Sequence, residues 1–413
     1  MPAIEPAAPC ARALTPADGY PPRAVPAATV PAGNLPALTS IRFLAALTVV
    51  LCHFGQIGLL AVPAWFVAAA DGGRPAVSLF FVLSGFVLAY NYRDSLDGRG
   101  ARAFYAARVA RIWPVLLLSL VPALAVTAWL LRSGDAMLLR EWYGLARPDL
   151  PLLAASLLCQ VLALTAWLPF AGLNQPWNGP AWSISCEAFF YALFPALLAW
   201  AGARGSRALL RWCMLLWLLQ GAWIALAEAA MPPSRSGFLV AQFPLTHLFE
   251  FVLGVCAAQW HARMPRAADT RHRLGILLTA AALALVAVLA VQALSPPGRW
   301  PAFYLQAPAF GALILGLALL QRPVLGLLHR RWLVRLGEAS FSLYLLHVPL
   351  GRLAWLAGWP RAYGWLVLAA VVALSVLVFL WYEEPMRRWL RRRLAPVLSE
   401  PAGGALPASA VRG

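Results

Sequence analysis

Lysine is absent from this sequence, and charged residues of either sign are scarce. All 33 basic residues are arginines, only 12% of the 413 residues are charged, and 62% are hydrophobic. An average soluble domain contains about 25% charged residues. The composition therefore argues against an ordinary soluble protein and is typical of an all-α, polytopic membrane protein. The lack of lysine beside abundant alanine indicates a GC-rich genome rather than a function.

Paired cysteines are also lacking. The six cysteines are scattered along the chain, and no Cys-x-x-Cys spacing occurs. This pattern argues against a disulfide framework and a zinc site. The sequence also contains no Gly-x-Ser-x-Gly elbow, no P-loop and no metal-ligand spacing. We therefore predict no metal and no tightly bound cofactor.

The excess of positive charge is confined to short connections. The formal net charge of +17 would usually suggest nucleic-acid binding. Here, however, the arginines cluster between apolar runs, which is the positive-inside pattern of cytoplasmic loops. We therefore predict a lipid bilayer as the partner and no nucleic acid. The arginine-rich connections are 93–111, 204–211, 263–273, 322–335 and 387–393.

The two ends of the chain differ from its middle. Residues 1–34 are rich in proline and alanine and lack a long apolar core, so they are typical of a disordered cytoplasmic tail rather than of a signal peptide. Residues 35–390 are predicted to form one membrane domain. Residues 391–413 are predicted to form a second cytoplasmic tail, basic at first and then flexible.

Eleven apolar runs come close to the roughly 20 residues that a membrane-spanning helix needs. They are continuous rather than alternating, which excludes the strands of a membrane barrel. The runs are 38–59, 75–92, 111–131, 150–168, 181–201, 207–228, 242–261, 274–294, 302–320, 338–358 and 362–382.

Loop charge reduces this number to ten crossings. If all five arginine-rich connections are cytoplasmic, an even number of crossings must separate each from the next, yet three runs lie between the first two. One run should therefore fail to cross completely. We select 150–168, which is short and flanked by acidic loops that contain Pro and Gly, as a re-entrant or partial segment. Both termini are then predicted to be cytoplasmic.

The first span, RFLAALTVVLCHF, carries two polar residues that lipid disfavours. Arg42 is predicted near the cytoplasmic face, and His53 lies eleven residues further, about 16 Å along a helix. An ionisable residue inside a membrane is costly and is usually functional. His53 could be a general base or an acyl carrier, because an imidazole titrates near neutrality. It could equally be satisfied by a neighbouring helix.

Other polar residues within the spans or at their ends also allow more than one interpretation. Arg108 and Arg111, spaced i, i+3, could bind phosphates or anchor the topology. Glu187 could orient a histidine, bind substrate or pair with an arginine. The remaining candidates could form a substrate network or hydrogen bonds between helices. These candidates are Ser84, Ser183, Tyr191, His247, Glu250, Ser340, Tyr344 and His347. Glu228 is a further acidic residue within a predicted span.

An ordered series of these stretches resembles acyltransferase family 3, the integral membrane O-acyltransferases. The resemblance covers about residues 36–390, and its order and spacing are more specific than any single piece. Along the chain, the matching stretches are IRFLAALTVVLCHF, SLFFVLSGF, ARVARIWP, PAWSISCEAFFYALFP, FEFVLG, GEASFSLYLLHVP and YEEPMRRW.

The resemblance implies a ten-helix domain that moves an acyl group, commonly acetyl, from coenzyme A to a sugar hydroxyl. It implies catalytic roles for His53 and Glu187, and binding of the acyl-CoA donor by Arg42, Arg108 and Arg111. Acyl-CoA is then a co-substrate, and the acceptor is a saccharide or lipid-linked saccharide of the cell surface or for export. The implied location is the inner membrane of a bacterium, and the oligomeric state stays open.

Three other functions remain open on the sequence alone. A transporter or flippase of a glycan or lipid intermediate would also carry intramembrane charges along its pathway. A relative could instead acylate a small secreted molecule, or serve as a silent membrane scaffold. The coincidence of an intramembrane histidine with the RxxR pair favours the acyltransferase, because transport does not explain it.

Overall fold

A computed structural model describes residues 35–93, 96, 98–265, 267–292, 300–320 and 322–399. The tail predicted at 1–34 lies outside these residues, and so does the part of the second predicted tail, 391–413, that follows residue 399. The described chain is helical and contains no strand. Its α-helices are α1 Pro36–Ile57, α2 Ala64–Ala69, α3 Arg74–Tyr92, α4 Gly98–Ser133, α5 Ala136–Tyr143, α6 Leu150–Val161, α7 Ala171–Asn174, α8 Trp182–Gly202, α9 Ser206–Ala230, α10 Pro233–Ala241, α11 Leu248–Arg263, α12 Ala268–Gln292, α13 Ala302–Leu319, α14 Arg331–Glu338, α15 Ser340–Leu356, α16 Gly364–Val378 and α17 Glu384–Ser399.

The all-α, polytopic prediction is confirmed. Eight helical stretches among the described residues are long and apolar enough to cross a membrane. The predicted runs 242–261 and 338–358 form α11 and α15, which have 16 and 17 residues and are shorter than the other spans. The count of ten crossings therefore stays a prediction. The basic segment after residue 390 continues α17 as far as Ser399.

The segment selected as partial is indeed too short to cross. It forms α6, which has 12 residues and is about 18 Å long, against a hydrocarbon core of about 30 Å. The Asp149 side chain begins this helix by accepting a hydrogen bond from the Leu152 backbone N–H at 2.9 Å. The helix ends at Val161, and the chain continues as an irregular segment.

Helices differ strongly in how much of their surface the protein covers. About 72% of the span in α13 and 67% of the span that contains α3 are buried, compared with 28% in α9 and 11% in α12. α9 and α12 are nevertheless apolar and expose large side chains such as Leu218 and Leu277. An apolar surface of this extent fits contact with lipid. The polar residues of interest lie on the covered helices.

Two glycines bring the backbones of α3 and α11 into contact. A methyl group at Gly85 would overlap the carbonyl oxygen of Phe251, and one at Gly254 would overlap that of Val82. Small residues allow such close approach between membrane helices. Gly85, in the stretch SLFFVLSGF, therefore lets the backbone of α3 approach that of α11 closely.

The irregular segment before α8 is covered by protein. Residues 177–181 are buried, and the Gln160 side chain donates hydrogen bonds at 3.1 Å to the carbonyls of Pro176 and Asn178. Trp177 has φ of 66°, in the left-handed region, and its indole donates to the Leu153 carbonyl. Irregular backbone is tolerated at membrane depth when protein covers it and satisfies its polar groups.

Candidate active site

Three arginines predicted to bind the donor line one cavity. This arginine cavity, of about 100 Å³, lies between α1, α3, α4, α8 and α15. It also contains Glu187, the predicted second catalytic residue, and the network candidates Ser84 and Tyr191. Its lining is Arg42, Phe80, Leu83, Ser84, Val87, Leu88, Arg108, Arg111, Glu187, Tyr191 and Phe341.

The arginine cavity is rich in uncompensated positive charge. Arg42 forms no hydrogen bond or ion pair with a described residue, although Glu187 lines the same cavity. Arg108 lies over the rings of Phe104 and Tyr191, at 5.5 and 5.6 Å from the ring centroids. Its buried Nε has no hydrogen-bond partner. Guanidinium groups held in this way are suited to phosphate or carboxylate oxygens.

Arg111 differs from Arg108 because it is already paired. Its guanidinium donates to the Glu383 carboxylate, whose other oxygen accepts a hydrogen bond from Ser342 at 2.6 Å. Glu383 is only 1% exposed. A π-helical turn over Phe379–Glu383 precedes α17 and carries this carboxylate. Such turns are frequent at functional sites.

Glu187 belongs to the arginine cavity and makes no contact with His53. Its Oε2 accepts a hydrogen bond from the Tyr191 hydroxyl at 2.8 Å. The Ser84 and Tyr191 hydroxyls lie 3.5 Å apart. Glu187 and Tyr191, four residues apart on α8, therefore lie on one face of that helix. An orienting role of Glu187 toward His53 has no support in this geometry.

A small cavity adjoins the arginine cavity and reaches Tyr344, whose backbone carbonyl contacts His347. It has a volume of about 40 Å³ and shares Arg42 and Glu187 with the arginine cavity, and it extends to Ser183 and Tyr344. Ser183 donates to the Tyr344 hydroxyl at 2.9 Å, and that hydroxyl lies 3.2 Å from the Pro180 carbonyl. We call this space the connecting cavity. It is lined in part by residues of α8 and α15.

His53 and His347 form a hydrogen-bonded pair between α1 and α15. His53 Nδ1 and His347 Nε2 are 2.7 Å apart, and the rings are parallel within 3°. His347 Nδ1 lies 2.6 Å from the Tyr344 carbonyl, which can only accept. His347 therefore carries its proton on Nδ1, and its Nε2 accepts from His53 Nδ1–H. This network leaves a lone pair on His53 Nε2, which has no partner among the described residues.

His53 also lines a second, larger cavity. This histidine cavity has a volume of about 310 Å³ and combines amides, two charged side chains and two indole rings. Part of its wall comes from the buried segment before α8. Its lining is His53, Gln56, Ile57, Glu141, Trp142, Gln175, Gly179, Pro180, Trp182, Gln242, Val348 and Arg352.

His247 and Glu250 form a separate network and line none of these three cavities. His247 Nδ1 is 3.1 Å from Glu250 Oε1, and its Nε2 donates to the Ala241 carbonyl at 3.1 Å. Gln220 donates to the other Glu250 oxygen at 3.1 Å. The structure thus favours the interpretation of hydrogen bonds between helices over a substrate site. Glu228, counted among the deep residues, is exposed on α9.

Sequence reasoning missed the partnership of His347 with His53 and the charged wall of the histidine cavity. No local pattern indicates that partnership, because 294 residues separate the two histidines. Arg352 did leave a signal, since an arginine within the apolar run 338–358 is as unexpected as His347.

Two comparisons identify the relatives of this chain. The model of acyltransferase family 3, described as an acyltransferase domain, matches residues 35–383. The acyltransferase MdmB of Streptomyces mycarofaciens is 30% identical over 400 residues, covering 89% of this chain and 95% of that protein. No solved structure matches the chain significantly. With its helical membrane fold and the clustering of the predicted site residues, the chain belongs to acyltransferase family 3 and is a multi-pass membrane acyltransferase.

Proposed function

We propose that this enzyme transfers an acyl group, acetyl in the first place, from acyl-CoA to a hydroxyl of a saccharide. The observation that carries the proposal is the unpartnered Nε2 of His53 at a polar cavity, with the arginine cavity built on the same helices, α1, α8 and α15. The arginine cavity supplies charge for the donor. The histidine cavity supplies a base and space for the acceptor.

The donor is held by its phosphates. Arg42 and Arg108 have guanidinium nitrogens without hydrogen-bond partners, and coenzyme A is a polyanion. A cavity of about 100 Å³ accommodates a phosphate group rather than the entire nucleotide. The rest of the coenzyme therefore lies at its mouth, which we expect on the cytoplasmic side because the arginine-rich loops are predicted there. The thioester arm enters the connecting cavity between Ser183 and Tyr344, whose walls must separate to admit it.

The transfer step requires one base. The acceptor hydroxyl donates a hydrogen bond to His53 Nε2, and its oxygen attacks the thioester carbonyl as the proton moves to the imidazole. The carbon–sulfur bond then breaks, and the leaving thiolate takes the proton from His53. His347 holds the reactive tautomer of His53 and is a positioning residue. A covalent acyl-His53 intermediate is the alternative route with the same residues.

The expected setting is the inner membrane of a bacterium, with both termini in the cytoplasm and a saccharide or lipid-linked saccharide as acceptor. The polar and aromatic wall of the histidine cavity supports a saccharide. The resemblance that the sequence bears to the sugar-modifying enzymes supports it as well.

The proposal is tested with purified protein by measuring acetyl-CoA binding and the release of free CoA with water or added saccharides as acceptors. His53→Gln should retain acetyl-CoA affinity and lose CoA release by about 10²–10⁴-fold, since an amide cannot accept the proton. His272→Gln, on the peripheral α12, serves as the control and should behave like the wild type. Full release by the His53→Gln protein would contradict the proposal.

A further inference from the structure

The histidine cavity contains a buried cation whose hydrogen bonds are incomplete. Arg352 is 8% exposed, and its Nη2 donates to the Trp142 carbonyl at 3.2 Å. Its Nε and Nη1 have no hydrogen-bond partner. Its guanidinium lies 5.0 Å from the Trp142 ring centroid and 5.6 Å from that of Tyr143. The aromatic rings hold the guanidinium in place but leave these N–H groups without acceptors.

No carboxylate among the described residues forms an ion pair with this arginine. Arg352 takes part in none of the ion pairs found between described residues. Glu141 lines the same cavity, but it is an exposed residue and stands outside ion-pair distance. A buried charge without a hydrogen-bonded partner costs several kcal/mol. Such a cost is explained if a bound ligand supplies the missing anion.

Two further groups on the cavity wall are suited to hydroxyls. His53 Nε2 has a lone pair, as deduced above, and the buried Oε1 of Gln242 has no hydrogen-bond donor. Trp142 and Trp182 add flat apolar surfaces, which fit the carbon face of a sugar ring. Together these groups would accept hydroxyl protons, donate to acidic oxygens and pack against a ring.

We propose that the histidine cavity is the acceptor site and that Arg352 selects acceptors bearing an acidic group, a carboxylate or a phosphate, near the reacting hydroxyl. This inference rests on the proposed function. The acidic group lies against Arg352, and the hydroxyl lies against His53 Nε2. Arg352 thereby fixes which hydroxyl of the acceptor faces the base.

The test compares three saccharide probes as acceptors at equal millimolar concentration: glucose, glucuronic acid and glucose 6-phosphate. The wild-type protein, loaded with acetyl-CoA, should release CoA at least severalfold faster with one of the acidic probes than with glucose. A preference for glucuronic acid assigns a carboxylate site, and a preference for glucose 6-phosphate assigns a phosphate site.

Three variants connect this preference to Arg352. Arg352→Gln keeps N–H donors but loses the charge, so it should abolish the preference for the acidic probe. Arg352→Lys should keep part of it, because the charge remains but the planar donor geometry does not. Arg140→Gln removes an exposed arginine on the same helix as Glu141 and should leave the preference unchanged.

Acetyl-CoA binding is measured on every variant, because it separates the two proposals. Loss of binding in the wild-type protein would contradict the proposed function itself. Retained binding with no acceleration by any probe, equal acceleration by glucose, or an acid preference that survives in Arg352→Gln would overturn the acceptor assignment. A misfolded Arg352→Gln protein would be recognised by its failure to bind acetyl-CoA, and Arg352→Lys would then decide the result.

Discussion

At the scale of single residues, the His53–His347 pair determines the chemistry of the site. The Tyr344 carbonyl fixes the tautomer of His347, and His347 in turn fixes that of His53. Such chains of hydrogen bonds orient a base without any carboxylate. Glu187, which the sequence offered for that role, lies instead among the arginines.

Replacing His347 should therefore lower turnover without weakening donor binding. His347→Phe removes the acceptor for His53 Nδ1–H and frees the imidazole to adopt the other tautomer, so CoA release at saturating acetyl-CoA should fall at least tenfold. His347→Gln can still accept that hydrogen bond through its amide oxygen and should retain more activity. Equal activity of the two variants would show that His347 only fills space.

Arg108 and Arg111 should respond differently to alanine, although their spacing in the sequence suggests a matched pair. Arg111→Ala leaves Glu383 buried without its cation, which typically costs about 3–5 kcal/mol of stability. Arg108→Ala leaves no buried carboxylate and should mainly weaken acetyl-CoA binding, by about tenfold or more for one charged hydrogen bond. Thermal unfolding and equilibrium binding, measured on both variants, distinguish the two effects.

A partial rescue provides the control for this difference. Adding Glu383→Gln to Arg111→Ala removes the stranded charge and should recover part of the melting temperature. If Arg111→Ala unfolds at the temperature of the wild type, the Arg111–Glu383 pair is not a structural element of the fold.

At the scale of helices, hydrophobic runs predicted most elements, because a membrane span shows itself as an uninterrupted apolar stretch. Charge parity also identified 150–168 as incomplete, and the structure makes it the short α6. The buried segment at 177–181 was not predicted, since Gly, Pro and Asn indicate a loop but not its depth. The π-helical turn that buries Glu383 has no sequence signal comparable to a cap or a turn.

The contact between α3 and α11 provides a test at this scale. Gly85→Ala places a methyl group against the Phe251 carbonyl, and the two backbones cannot move apart without disturbing the core. Overpacking of this kind typically costs about 1–3 kcal/mol, so the melting temperature should fall. Gly237→Ala, in α10, meets open space and should not lower it. A Gly85→Ala protein as stable as the wild type would mean that the two helices are not in close contact.

At the scale of the whole molecule, composition and loop charge predicted an all-α membrane protein, and the structure agrees. The candidate site could be predicted in part. The resemblance implied a common donor site for Arg42, Arg108 and Arg111, and these residues do converge. The position of Glu187 among them and the separation of His53 into a second cavity depend on how the helices pack. Local patterns carry no information on such packing between distant segments.

Topology is the corresponding prediction for the whole chain. Ten crossings require both termini on the cytoplasmic side, because the arginine-rich connections should all remain there. Reporter domains fused after residue 5 and after residue 405 should give the same cytoplasmic signal. Signals from opposite sides would require an odd number of crossings. The prediction that both termini are cytoplasmic would then be wrong.

The central claim is that donor binding and acyl transfer belong to different cavities, and single-turnover kinetics test it most directly. Labelled acetyl-CoA is bound to the protein at saturating concentration, and CoA release is followed after adding the best acceptor. Arg42→Ala should need about tenfold or more acetyl-CoA for saturation but then react at nearly the wild-type rate, whereas His53→Gln should bind normally and react 10²–10⁴-fold more slowly. If His53→Gln reacts at the wild-type rate once saturated, or if Arg42→Ala binds the donor as tightly as the wild type, the account is contradicted.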